Sequence, residues 1–235
     1  MNKSFFAAIS VFFLLLVSCS EQQVLTRSEV LLEQGWKFTR EDGDFTAVDF
    51  DDASWQNVTV PHDWAIYGPF DSNNDAQVVA ITQNFESRAT LKTGRTGGLP
   101  YVGTGWYRLE FDVNDYQPGK VKLLFDGAMS YSKVYVNGKF VGEWPYGYNS
   151  FHFDVTDYLN PDGKDNVLAV RLENLPESSR WYPGAGLYRN VHLIVTDDVH
   201  IPIWGTQVIC SDISQKSAMV NIKIKLEGQG TVKTD

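Results

Sequence analysis

VKLLFDGAMSYSKVYVNGKFVG, Val121 to Gly142, is the stretch that decides the fold. In its first part Val121, Leu123 and Phe125 alternate with Lys122, Leu124 and Asp126. Alternation with a period of two marks a strand with one face buried. Further on, two such runs, SKVYV and KFVG, are joined by Asn137-Gly138. A type I′ turn needs φ > 0 at both central residues, which Asn and Gly tolerate, so the spacing predicts a hairpin.

The same pattern continues on both sides. SFHFDV from Ser150, NVLAVRLE from Asn166 and NVHLIVT from Asn190 read as short strands. Upstream, GWKF at Gly35 is a short strand between turns, and alternation resumes at Trp106 in GGLPYVGTGWYRLEF. Thr156 is expected to cap one helical turn that Pro161 and Gly163 then stop. Between Gly68 and Gly105 the text is rich in Gly, Asn, Asp and Pro, with no helical period, and reads as a long connection. Many short strands, frequent turns and almost no helical period imply an all-β sandwich.

Composition agrees. Seven Trp, eleven Tyr and fourteen Phe make 14% of the chain, and aromatic residues favour strands. Most of these rings are expected to fill a core, although flat rings also suit the C–H faces of sugars. Net charge is −9, without a basic cluster, which argues against nucleic acid. Asp49, Asp51 and Asp52 lack the spacing, Gly and distal Glu of a Ca²⁺ loop; they read as a turn-forming acidic loop leading to Trp55. In VPHDW, His62 and Asp63 read as a structural pair, since no nucleophile completes a triad.

The two ends read differently. After Lys3, Phe5 to Val17 is apolar except for Ser10. That is too short for a transmembrane helix, which needs about 20 residues, and suits a signal-peptide core. It ends Leu16-Val17-Ser18-Cys19, which resembles a bacterial lipobox; residues 1–18 are expected to be removed and Cys19 lipidated, tethering an exported protein to a membrane through residues 19–30. Cys210 lies in the apolar run WGTQVIC, where a buried, inert thiol is expected, with no intramolecular disulfide. Beyond Thr196, SAMVNIKIKLEG alternates Val220, Ile222, Ile224 and Leu226 with Asn221, Lys223, Lys225 and Glu227. Two strands there do not make a stable domain.

The stretch SSRWYPGAGLYRNV, Ser178 to Val191, adds a tight turn at Pro183–Gly186, preceded by Arg180, Trp181 and Tyr182. Glycines let a backbone pass close to something, Arg offers a fixed fork of donors, and Trp and Tyr add a stacking face. With GWKF, FDDASWQNVTVPHDW, GGLPYVGTGWYR, MSYSKVYVNGKFVG and WPYGYNSFHFDVTDYL, it resembles the N-terminal part of glycoside hydrolase family 2 enzymes, most of all the β-galactosidase group. The resemblance implies a jelly-roll sugar-binding sandwich over residues 31–197, then, over 198–235, the first strands of an incomplete immunoglobulin-like sandwich. It also implies a catalytic (β/α)₈ barrel that this chain lacks. It nominates Arg180, supported by Trp181 or Tyr182, for contact with the terminal sugar of a β-galactoside; a salt bridge from Arg180 to the next domain is the alternative. Some family members place an acidic sugar and cation ligand near Arg180; Ser178, Ser179 and Arg180 stand here, so no metal ligand is carried over. No cofactor is implied. The two catalytic carboxylates of a retaining glycosidase belong to the barrel, so no catalytic residue is expected here. Three roles follow: part of a β-galactosidase-type enzyme, a stand-alone surface carbohydrate-binding module, or a docking chain for a separate catalytic barrel.

Overall fold

The computed structural model describes residues 27–71, 74, 79–81, 85, 87–88, 90–92, 101–113, 119–176 and 182–228. Its strands are β1 (Arg27–Leu31), β2 (Trp36–Thr39), β3 (Gln56–Val58), β4 (Val79–Ile81), β5 (Thr90–Lys92), β6 (Gly103–Phe111) and β7 (Lys120–Phe125). They continue with β8 (Ser132–Val136), β9 (Lys139–Trp144), β10 (Phe151–Asp154), β11 (Asn166–Asn174), β12 (Val191–Thr196), β13 (Thr206–Ser211) and β14 (Met219–Ile224). One sheet has the order β1-β12-β7-β10 and the other β3-β2-β6-β11-β8-β9, with antiparallel neighbours throughout. This is the expected all-β sandwich.

The alternation read from the sequence sorts residues onto faces. Val121, Leu123 and Phe125 of β7 face Tyr107, Leu109 and Phe111 of β6 across one buried core, which Val134, Val136, Leu168, Val170 and Leu172 share. The Asn137-Gly138 turn has φ of 50° and 76°, as a type I′ turn demands. Asn137 does more than turn. Its side chain donates to the Tyr158 carbonyl and to Asn166 Oδ1, and accepts from the Val167 amide, so the hairpin tip is sewn to β11.

The other face of the six-stranded sheet is covered too. Trp106 and Arg108 point outward on β6, yet both are 2% exposed. The acidic loop of residues 42–55 folds over them. Trp106 packs with Trp55 and Phe45, and Arg108 donates to Asp52 Oδ2 at 2.8 Å and to the carbonyls of Phe45 and Ala47 at 2.7 and 3.0 Å. The loop is thus acidic and solvated at Asp49 and Asp51, while Asp52 is the counter-ion of a buried cation.

Four expectations need correction. Thr156 does not cap the 3₁₀ turn Thr156–Tyr158, whose N-cap is Val155. Its hydroxyl instead donates to Asp154 and accepts from the Val121 amide. The connection from Gly68 contains an antiparallel pair, β4 with β5. Arg27–Val30, placed in the tether, belong to β1, which pairs with β12 at the sheet edge. Cys210 is a free but exposed thiol. The β13–β14 hairpin sets Val208, Val220 and Ile222 in solvent alongside it, so the apolar pattern that suggested burial has no cover among the described residues. Cys19 and residues 1–26 lie outside the described residues.

Candidate functional site

The turn of SSRWYPGAGLYRNV lies against the segment VPHDW. Gly184 and Gly186 have φ of 89° and 83°, a region that L side chains rarely adopt. Gly186 exchanges two backbone hydrogen bonds with Met129, both 3.0 Å, and the Leu187 carbonyl accepts from the His62 amide at 2.7 Å. A Cβ on Gly186 would land on the Tyr107 hydroxyl, and 2.7 Å from the His62 carbonyl oxygen. The Asn174 side-chain amide donates to the Gly184 carbonyl at 3.0 Å. The turn is held from the sheet below, from β11 and from the VPHDW segment at once.

Of the three nominated residues, Arg180 and Trp181 lie outside the described residues. Tyr182 is 37% exposed, and its hydroxyl donates to Asp63 Oδ1 at 2.6 Å. Burial, then the Asp63 hydrogen bond, raises the Tyr182 pKa far above the usual tyrosine range, so the hydroxyl stays protonated. The same carboxylate oxygen accepts the Ala65 amide at 3.0 Å. A carboxylate offers about four acceptor positions, and among the described residues Tyr182 and the Ala65 amide occupy two of those of Asp63.

His62 and Asp63 do not serve each other as the sequence suggested. His62 Nδ1 is 2.8 Å from the hydroxyl of Tyr107, a fully buried residue of β6, while Asp63 serves Tyr182. Burial lowers the His62 pKa, Asp63 opposes this and Arg40 adds to it. Burial holds the Tyr107 pKa well above the ordinary value. The pair is therefore neutral and structural, and it fixes the base of the segment that carries Asp63. His62 and Trp64 also line an open cleft of about 870 Å³, with Phe38, Arg40 and Tyr67. There Arg40 donates to the Trp64 and Gly68 carbonyls, both at 2.7 Å, so it is a scaffold for the loop. Asp63 escaped sequence reasoning because its partner is 119 positions away; the signal was its place in VPHDW, one of the blocks already singled out.

Comparison with known proteins places the sandwich in a family. Residues 31–197 match the family model described as "Glycosyl hydrolases family 2, sugar binding domain". A β-galactosidase of Bacteroides ovatus is 38% identical over 89% of this chain and 23% of its own length. A putative β-glucuronidase of Formosa agariphila is 32% identical over 92% of this chain and 19% of its length. A β-glycosidase from Bacteroides vulgatus superposes with a TM-score of 0.70 at 30% identity, over 86% of this chain and 24% of that one. The chain thus spans about a fifth to a quarter of these two curated relatives. Through the sandwich that holds the Asp63–Tyr182 pair, the chain belongs to glycosyl hydrolase family 2, as its sugar-binding domain.

Proposed function

We propose that this chain is the non-catalytic, sugar-facing part of an exported family 2 glycoside hydrolase acting on β-galactosides. The observation that carries the reading is the clamped turn: Gly186 locked onto Met129 and Tyr107, with Tyr182 held on Asp63. Rigid placement of a few polar groups is what a sugar subsite requires. On this reading Arg180 and Trp181, which directly precede Tyr182, reach a terminal sugar held mainly by a catalytic barrel. The two carboxylates that break the glycosidic bond belong to that barrel. A β-galactoside rather than a glucuronide is favoured by the higher identity to the Bacteroides ovatus enzyme. Export and anchoring through a lipid on Cys19 are part of the same proposal, motivated by the LVSC sequence after the apolar run.

The purified chain is expected to show no turnover of a chromogenic β-galactoside and weak or no affinity for galactose by calorimetry. Stoichiometric turnover by the pure chain would sink the reading. Micromolar galactose binding that Arg180→Ala abolishes would replace it with a stand-alone binding module. Mass spectrometry of the protein expressed in a bacterium should find a diacylglycerol adduct at Cys19 and none in Cys19→Ala.

A further inference from the structure

The open cleft of about 870 Å³ beside the VPHDW segment holds a cation without a counter-ion. Arg40 directly follows β2, and its Nη2 donates to the Trp64 and Gly68 carbonyls, both at 2.7 Å. The guanidinium carbon lies 5.1 Å from the centroid of the Tyr101 ring, so the fork is held from two sides. Its Nε is buried and makes no hydrogen bond, and Nη1 makes none among the described residues. The two carbonyls accept hydrogen bonds but carry no net charge. Among the described residues no carboxylate forms an ion pair with Arg40. Asp42 pairs with Arg171 at 3.7 Å, Asp63 accepts from Tyr182 and the Ala65 amide, and Glu41, on the cleft wall, is exposed. A guanidinium partly withdrawn from water without an anion is costly, and its planar fork matches an oxyanion.

The rest of the cleft suits a sugar. Phe38 and Trp64, both buried, stack 5.6 Å apart and make its floor rigid. Tyr67, also on the wall, is 82% exposed and offers an aromatic face, while Ser54 and Gln56 add a hydroxyl and an amide. A few polar groups beside an aromatic face are what saccharide recognition uses. His62 of the wall directly precedes Asp63, which holds Tyr182, so cleft and sugar-binding turn share the VPHDW segment. The chain as a whole, at a net charge of −9, repels anions, so anion binding here has to come from the local geometry.

We propose that this cleft is a second carbohydrate subsite, in which Arg40 binds an oxyanion on a sugar unit, either a uronate carboxylate or a sulfate ester. The inference rests on the reading of the chain as a sugar-facing domain and deepens it: the saccharide that meets the turn carries negative charge on another of its units. All the cleft residues named belong to this chain, so the subsite binds without a catalytic barrel.

Nitrogen–proton correlation NMR of the chain reads the site at the Arg40 Nε–H and at the amides of Thr39, Glu41 and Gln56. The probes are digalacturonate, galactose sulfate, neutral galactobiose and inorganic sulfate. At least one acidic saccharide is expected to bind about tenfold more tightly than galactobiose, a difference of about 1.4 kcal/mol. Tighter binding of digalacturonate identifies the carboxylate as the oxyanion, and tighter binding of galactose sulfate the ester. Arg40→Gln should abolish the preference for charge. Arg40 also supports the loop, so the β6 and β11 amides report folding, and Tyr67→Ala, at an exposed position, gives an independent variant expected to weaken binding about threefold. Galactobiose binding as tightly as the acidic sugars overturns the proposal. So does inorganic sulfate binding as tightly as they do, a preference that survives in folded Arg40→Gln, or an affinity unchanged in both variants. Shifts confined to Tyr182 and Gly184 overturn the cleft and leave the turn as the sugar site. Turnover of a β-galactoside by the pure chain removes the non-catalytic reading instead, and leaves the cleft measurement standing.

Discussion

At Gly186 the backbone stands at φ 83°, and the space a Cβ would need is held by the Tyr107 hydroxyl and the His62 carbonyl. Gly186→Ala combines left-handed strain with overpacking, each costing about 1–2 kcal/mol, so a loss of about 3 kcal/mol is expected in urea unfolding. Tyr182→Phe is a contrasting test. Its hydroxyl meets Asp63 at a partly exposed position, so stability should fall by only about 1 kcal/mol. The nomination of Tyr182 rested on its neighbours in the chain. Its partner was not legible, because a contact between residues 63 and 182 leaves no local pattern. His62 shows the same limit from the other side. Adjacency to Asp63 suggested a pair, but the two side chains engage Tyr182 and Tyr107 instead.

Among elements, those defined by alternation and turn chemistry were legible. β7, β8, β9 and β11 lie where the apolar period and Asn137-Gly138 put them. β1 was not, because RSEVL shows neither aromatic residues nor clean alternation, and its strand form depends on pairing with β12. The 42–55 loop was half legible: its acidity reads as solvation, yet three carbonyls and Asp52 converge on Arg108, and carbonyls carry no sequence signal. Arg108→Met would strand these acceptors beside Trp55 and Trp106. We expect a loss of about 3 kcal/mol, a drop of roughly 10 °C in the melting temperature measured by circular dichroism. The Thr156 turn has a different lesson. A Thr before a short helical turn fits a capping pattern, but the amide of Val121 on the neighbouring strand competed for the same oxygen and won.

For the whole molecule, two histidines bias stability in one direction. Burial depresses the folded-state pKa of His62, and burial with Lys122 depresses that of His152, from an ordinary value of 6.5. Below that value the unfolded chain binds protons that the folded chain refuses. Stability is therefore fully present above about pH 6.5 and falls as the medium is acidified towards the lower folded values. The melting temperature should decline between about pH 6.5 and about pH 5, before most carboxylates titrate. His62→Asn, whose amide can still meet the Tyr107 hydroxyl, should flatten part of that slope; an unchanged slope would exclude His62 as its source. Two-layer architecture and family were readable from ordered blocks along the chain, because each block is a local strand or turn. The ion pair of Lys122 on β7 with Glu227 was not, because the two are separated in sequence by the rest of the sandwich.

The pairing of β1 with β12 also has a consequence in time. During synthesis the first strand emerges long before its partner, and β7 keeps an open edge until Val191–Thr196 has left the ribosome. Chains of such high contact order complete their sheets late and slowly. Until those residues emerge the four-stranded layer stays unclosed, a state that a chaperone can still engage.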